Sequence, residues 1–258
     1  MSDAPCLRLT ALPGIPLISA GADLVAIAMD GMARAALTLI DGDVLIFAQK
    51  IVSKAEGRQV ALSHIVPSPR AQALALYAEK DARFVEVVLR ESREVLRVRP
   101  GLLVVEHRLG FVCANAGVDR SNVAPHDAAE EWVLLLPENP DASCERLRAA
   151  FHACSGARVG LIINDSHGRA WRNGTVGIAV GVAGVPAVQD MRGHADLFDY
   201  TLQVTQIGAA DELAAAASLL MGQADEGRPI IHARGFPYAL REAGLPESLR
   251  PREVDAFR

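Results

Sequence analysis

The chain has 258 residues, 50% of them apolar, 22% charged and only 5% aromatic, with a formal net charge of −5. That is too apolar for a disordered chain and long enough to bury a sizeable core, in one large domain or two small ones. No basic face follows from the totals, and no apolar run approaches the ~20 residues that span a bilayer, so neither nucleic acid nor membrane is expected as a partner.

In chain order, Leu24 to Leu39 reads as a helix capped by Asp23, and residues 43–48 (DVLIFA) as a buried strand after an Asp-Gly turn. Ser68-Pro69 opens a helix running to about Glu79, and a second follows from Asp81 to about Glu91. Short strands are predicted at Val95 to Val98 and Leu102 to Glu106, joined by a turn at 99–101. After a loop from Asn115 to Pro125, a strand at Val133 to Leu136 precedes a helix capped by Asp141, carried through Cys144 to Cys154 and stopped at Gly156. Val159 to Ile163 is a continuous apolar run, read as a fully buried strand. Glycines then alternate with small aliphatics from Gly174 to Gly184, and an alanine-rich helix spans Ala209 to Leu220, with Gly222 as its stop. A charged tail from Pro246 reads as a surface extension. The pattern is a mixed α/β or α+β unit of enzyme size.

The N-terminus lacks a basic segment followed by an apolar one, so no secretory signal is read. Cys6, Cys113, Cys144 and Cys154 show no metal-like spacing and are expected to be reduced, mostly packed thiols in a cytoplasmic protein. Only Lys50, Lys54 and Lys80 are lysines among 26 cations. A genome that favours arginine codons explains the bias, yet two of the three stand four residues apart.

Three polar segments interrupt apolar surroundings. In Gln49 to Arg58, after a buried strand, Lys50 and Lys54 could neutralise phosphate oxygens, although spacing alone favours a solvated strand end. Asn115 to Asn122 offers a carboxylate, a hydroxyl and amides suited to a hard cation such as Mg²⁺, and equally to ordinary turns. Asn164 to Arg172 places Asp165 and Ser166 at a strand end, where they could hold a metal while Arg169 and Arg172 receive anionic groups. His167 could act as a base there, but a structural role is favoured. The phosphate loop G-x-x-x-x-G-K-[ST] and the H-E-x-x-H and G-x-S-x-G signatures are absent, and the glycines at 174–184 have the wrong spacing for a dinucleotide fingerprint.

Six collinear motifs carry a resemblance: DGDVLIFAQKIVSKAEGR from Asp41, ANAGVDRSN from Ala114, NDSHGRAWRNG from Asn164, GIAVGVAG from Gly177, ADELAAAA from Ala210 and MGQADE from Met221. From about Leu12 to Gly235 the chain resembles the coenzyme F420:γ-L-glutamate ligases. The resemblance implies GTP-dependent amide formation between a carboxylate on a deazaflavin precursor and L-glutamate, through an acyl phosphate, with further γ-linked glutamates as an extension. The acceptor side chain, lactyl, glyceryl or dehydrated, is left open.

It also implies an α+β, intertwined mixed-sheet fold with two subdomains in one catalytic unit over residues 1–245, a tail at 246–258, and a homodimer. Asp119 and Asp165 match metal-binding carboxylates and, with Lys54, carry the catalytic assignment. Ser166, where threonine is usual, and Gln223 match ligands of a second metal. Two divalent ions, Mg²⁺ or Mn²⁺, are implied, with K⁺ a further candidate. Nucleotide contacts are implied for Gln49, Lys50, Lys54 and Asn122. The remaining nucleotide walls fall on Gly14, Ile15, Pro16 and Leu17, and on Met221, Gly222, Gln223, Ala224, Asp225, Glu226, Gly227 and Arg228. Ala22, His167 and Ala170 depart from the usual residues and bear on substrate contacts. The chain ends too soon for the flavin-binding domain of some relatives, so no flavin is expected. A metal-dependent nucleotide or phosphoester hydrolase on the same carboxylates is the alternative, and a nucleotide-binding assembly protein a third reading.

Overall fold

A computed structural model describes residues 4–123 and 130–255. The loop end at 124–129, the last three residues of the tail and the first three of the chain lie outside that description. In chain order the elements are β1 (Arg8–Ala11), α1 (Leu24–Arg34), β2 (Val44–Ala48), α2 (Gln49–Ala55), β3 (Gln59–Ala61), α3 (Pro69–Ala78), α4 (Ala82–Arg90), β4 (Ser92–Arg99), β5 (Leu102–His107) and β6 (Val112–Ala114). They continue with β7 (Trp132–Leu134), α5 (Pro140–Ser155), β8 (Gly160–Arg169), β9 (Arg172–Ala183), β10 (Gln189–Asp190), β11 (Gln206–Ile207), α6 (Ala209–Met221) and β12 (Ile230–Arg234). The architecture is α+β.

The apolar run of β2 is explained by burial on both faces. It lies in a five-stranded mixed sheet ordered β1-β12-β2-β8-β9, parallel to β8 and antiparallel to β12. Side chains alternate: Leu45 and Phe47 pack with Leu161 and Ile163 against α1 and α5, while Val44 and Ile46 pack with Ile162 against α6. Each such fully buried side chain contributes about 1.5–3 kcal/mol of transfer free energy. The alanines of α6 let that helix approach β9 closely, and Gly177 is needed there because a Cβ would collide with Asn164 and the backbone of α6. A separate core joins α3 and α4 to the β4-β5-β6 and β3-β7 sheets, around Phe84, Val88, Leu103 and Val133.

Several boundaries differ from the sequence reading. The first helix stops at Arg34 rather than Leu39, because Ala36 turns left-handed at φ +52° and breaks the helical backbone. Asn139, not Asp141, caps α5, its side chain accepting from Ala142 N at 3.1 Å with Pro140 at the first helical position. Asp141 instead accepts from Val182 N at 2.8 Å and Leu245 N at 2.9 Å, tying β9 to the C-terminal segment. Gln49 to Ala55 is helix rather than a solvated strand end, and Asn164 to Arg169 continue β8 rather than follow it. Cys113 and Cys144 are buried, but Cys6 and Cys154 are exposed, so half of the thiols are packed rather than most of them. The C-terminal segment is anchored by Leu245, 6% exposed, and by Arg252 Nη2 on Glu94 at 2.9 Å. Among the described residues no helix is long and apolar enough to cross a membrane.

Candidate active site

The parallel pair β2 and β8 ends at Ala48 and Asn164, and a cleft of about 880 Å³ opens beyond those strand ends. Open sheets present ligand groups at this position because strand-to-helix connections leave backbone and side chains free there. The cleft gathers Ile15 to Leu17, Gln49, Lys50, Lys54, Asp119, Asn122, Asp165, Ser166 and the whole loop Met221 to Arg228. Gly14, the first of the nucleotide-wall positions, lies outside its lining, with φ +71° and the Arg34 guanidinium packed against it.

Asp119 is delivered by an unusual turn. Asn115, Ala116 and Gly117 all have positive φ, at +49°, +53° and +65°. Left-handed backbone costs a non-glycine residue about 1–2 kcal/mol, so the surroundings must hold it. They do so through Asn115 Oδ1, which accepts from Leu103 N at 3.1 Å, and through Ala116, 1% exposed in the second core. Reciprocal backbone bonds with Leu134, at 3.0 and 2.9 Å, then fix the Asp119 backbone.

Both oxygens of Asp119 are engaged. Oδ1 accepts from Ser121 N at 2.9 Å and Ser121 Oγ at 2.8 Å; Oδ2 lies 2.6 Å from Lys50 Nζ. Burial pushes the Asp119 carboxyl up, but the Lys50 ammonium and the Ser121 donors outweigh it and hold the group below its usual range. Asp165 is the opposite case. Burial pushes its carboxyl up to about 7, against the Ser166 N–H, with the Asp119 charge adding and Lys50 and the Gln49 amide opposing. Lys54, at the last turn of α2, is pushed down by burial and by the nearby Lys50. Among the described residues it has no carboxylate partner.

Asp165 turns toward Gln49 and Lys50, whereas Ser166 donates to Gln223 Oε1 at 2.6 Å. Gln223 is braced by donating through Nε2 to Ser218 Oγ at 3.0 Å. Gln49, 2% exposed, accepts from Ser53 Oγ at 3.0 Å, which places it as a support under Asp165. Asn122, at φ +54°, donates to Ala224 O at 2.9 Å and bridges the two loops that wall the cleft.

His167 stays out of the cleft lining: its Nε2 pairs with Val112 O at 3.0 Å and its ring meets Phe111 edge-on, so the structural role holds. Arg169 and Arg172 are exposed on the β8–β9 hairpin and also lie outside the lining. Sequence reasoning missed the bracing by Ser121 and the burial of Asn164, whose Oδ1 has no hydrogen-bond partner among the described residues. The Asp-x-Ser spacing at 119–121 is a turn signal that could have exposed the first.

Among the described residues no three His, Cys, Asp or Glu side chains cluster as a metal set. The available donors are the Asp119 and Asp165 carboxylates, the Ser166 hydroxyl and the Gln223 amide oxygen. Oxygen donors that are few and partly neutral suit Mg²⁺ or Mn²⁺, which keep several waters, and the half-buried, desolvated Asp165 carboxyl calls for a cation. The residues fit the group.

Ammonium groups and oxygen donors share one cleft at the end of a parallel strand pair, an arrangement able to receive an anionic molecule. Comparison with known proteins narrows this. The family model "F420-0:Gamma-glutamyl ligase" matches residues 14–235. The "Coenzyme F420:L-glutamate ligase" of Methanothermobacter thermautotrophicus is 44% identical over 254 residues, 98% of this chain and 99% of that protein. Its namesakes from Methanopyrus kandleri and Archaeoglobus fulgidus are 42% identical over 250 residues and 44% over 246, covering 97% and 95% of this chain and 95% and 94% of those proteins. The chain is therefore an enzyme of the ligase class. It belongs to the F420-0:gamma-glutamyl ligase family.

Proposed function

We propose that this protein joins L-glutamate to the free carboxylate of the deazaflavin precursor F420-0 in coenzyme F420 biosynthesis, consuming GTP. One observation carries the reading: the cleft holds a partly buried lysine, Lys54, that has no ion-pair partner among the described residues, and the carboxylates Asp119 and Asp165 line the same cleft. An unpaired ammonium there calls for an anion, and polyphosphate supplies one.

The chemistry needs activation because hydroxide is a poor leaving group. An oxygen of the acceptor carboxylate attacks the γ-phosphorus of GTP, GDP leaves, and an acyl phosphate forms. The glutamate amine attacks the acyl carbon, phosphate departs with the former carboxylate oxygen, and the amine proton is lost to solvent. Lys54 receives phosphate oxygens, Gln49 holds Asp165 in place, and Ser121 with Lys50 keeps Asp119 ionised. Two divalent ions, Mg²⁺ or Mn²⁺, held by Asp119, Asp165, Ser166 and Gln223, would neutralise phosphate charge when bound; K⁺ is a further candidate. Such catalysis is mainly positioning and charge neutralisation.

The working unit is a homodimer. The loop between β10 and β11 presents Leu197 and Phe198, 97% and 90% exposed, with Tyr200 and Val204 beside them, an apolar surface that a second copy would cover.

Mass spectrometry of the acceptor after incubation with GTP, metal and L-glutamate tests the reading. Successive additions of one glutamyl residue are expected, with GDP and phosphate released only when acceptor and glutamate are both present. Equal GTP turnover without them would instead support the hydrolase alternative.

A further inference from the structure

The loop between α6 and β12 is bounded by two left-handed glycines, Gly222 at φ +75° and Gly227 at φ +66°. Between them the chain curls back on itself until Oε2 of Glu226 accepts from Ala224 N at 2.9 Å. The backbone N–H groups of Gln223 and of Glu226 itself also turn toward that carboxylate. Gly222 belongs to the same arrangement, because a Cβ there would collide with the Glu226 carboxyl group. Backbone N–H groups converging on an anion form a nest, the same device by which loops cradle phosphate oxygens.

The occupant of this nest is exposed to solvent, so the carboxylate is not held there by burial. It is held by donors, on a loop clasped across the cleft by Asn122. The loop also lines the cleft that contains Lys54, which has no ion-pair partner among the described residues. A carboxylate fixed at that point opposes an incoming polyphosphate twice, by occupying the N–H donors and by presenting like charge.

We propose that the Gln223–Glu226 nest is a phosphate subsite closed by an internal mimic: the Glu226 carboxylate fills it in the empty enzyme, and a phosphate group displaces it on binding. The inference rests on the nucleotide reading above and adds an autoinhibitory contact to it. Glu226 thereby sets how much of the intrinsic affinity for polyphosphate is realised, since the competent state exists only when its side chain has swung out.

Calorimetric titration of the wild type, Glu226→Ala and Glu226→Gln with GTP, inorganic pyrophosphate and guanosine, all in Mg²⁺, is the test. Glu226→Ala is expected to bind GTP and pyrophosphate at least about 3-fold more tightly than the wild type, with guanosine unchanged and Glu226→Gln in between. Unchanged or weaker pyrophosphate binding by a Glu226→Ala protein with a normal melting curve overturns the proposal. An equal gain for guanosine overturns it too, because the effect would then be steric. Pyrophosphate separates this outcome from the identity of the nucleotide: a wild type that takes pyrophosphate but not GTP defeats the GTP reading and leaves the nest to be judged on pyrophosphate alone.

Discussion

Lys50 Nζ lies 2.6 Å from Asp119 Oδ2, so the cleft's first lysine is spent on its first carboxylate. The pair is about one-third exposed on both sides, where an ion pair by itself adds little stability. Its consequence is chemical: an ammonium occupies the oxygen that a divalent ion would ligate.

Replacing the ammonium by an isosteric apolar chain separates these roles. In Lys50→Met the Asp119 oxygen is released, and Mn²⁺ binding without nucleotide, followed by electron paramagnetic resonance, is expected to tighten several-fold. Ligation should fall by at least about 10-fold, since a charge-assisted contact is worth roughly 1.5–3 kcal/mol. Weaker Mn²⁺ binding by a folded variant would show that Lys50 supports the metal site rather than competes with it.

Asp165 predicts opposite effects on activity and stability. Its carboxyl titrates near 7 in the folded protein and near 3.8 as an ordinary aspartate. A raised carboxyl pKa means that the unfolded chain releases its proton first, so folding stability is lost as pH rises from about 4 to about 7. Asp165→Asn should abolish ligation yet raise the melting temperature of the metal-free protein at pH 8 by several degrees, with the difference closing near pH 4. A destabilised variant at pH 8 would contradict the cost assigned to that desolvated charge.

The parts legible in sequence were those where one local signal dominates. The β2 run, the Val159 to Ile163 run and α6 read directly, because burial on both faces or an alanine-rich helix leaves an unbroken pattern. The cap of α5 was misplaced because Asn139 and Asp141 both suit a cap, and Pro140 between them decides in favour of Asn139. Residues 164–169 look like a loop because they are polar, yet antiparallel pairing with β9 keeps them in a strand. The chemistry of Asp119, Asp165 and Lys54 was visible only through their motifs. The Glu226 nest was not visible at all, because it depends on which way backbone N–H groups turn, and side-chain identity does not encode that.

His107 governs acid stability away from the cleft. It is 2% exposed, its Nδ1 accepts from Leu109 N at 2.9 Å, and its Nε2 has no hydrogen-bond partner among the described residues. Burial, together with Arg108, Arg58 and Arg93, lowers its pKa to about 4, despite Glu91 at 3.8 Å. Here the folded pKa lies below the unfolded value of 6.5, so stability is complete above pH 6.5 and is lost as pH falls toward 4. His107→Asn keeps an acceptor for Leu109 N and cannot titrate. Urea unfolding of this variant should show a flatter limb between pH 6.5 and 4, by up to ~1.4 kcal/mol per pH unit. An unchanged slope would assign the acid limb to another group.

Lys54 gives the sharpest test of the phosphate reading. In a chain that uses arginine for nearly every cation, it stands as a lysine on the last turn of α2, partly buried and without a carboxylate partner among the described residues. An ammonium is a compact point charge, whereas a guanidinium is a planar fork that needs room for its five donors. On the last turn of α2, beside Lys50, the longer planar fork would set its charge at a different point, so Lys54→Arg should keep the charge but misplace it. GTP affinity is expected to fall at least about 10-fold by calorimetry, and Lys54→Ala should fall further. Because burial and Lys50 lower its pKa, wild-type GTP binding should also weaken earlier on the alkaline side than an ordinary lysine would allow. Near-normal affinity in Lys54→Arg would leave this lysine as one more product of composition, and near-normal affinity in Lys54→Ala would remove it from the phosphate site altogether.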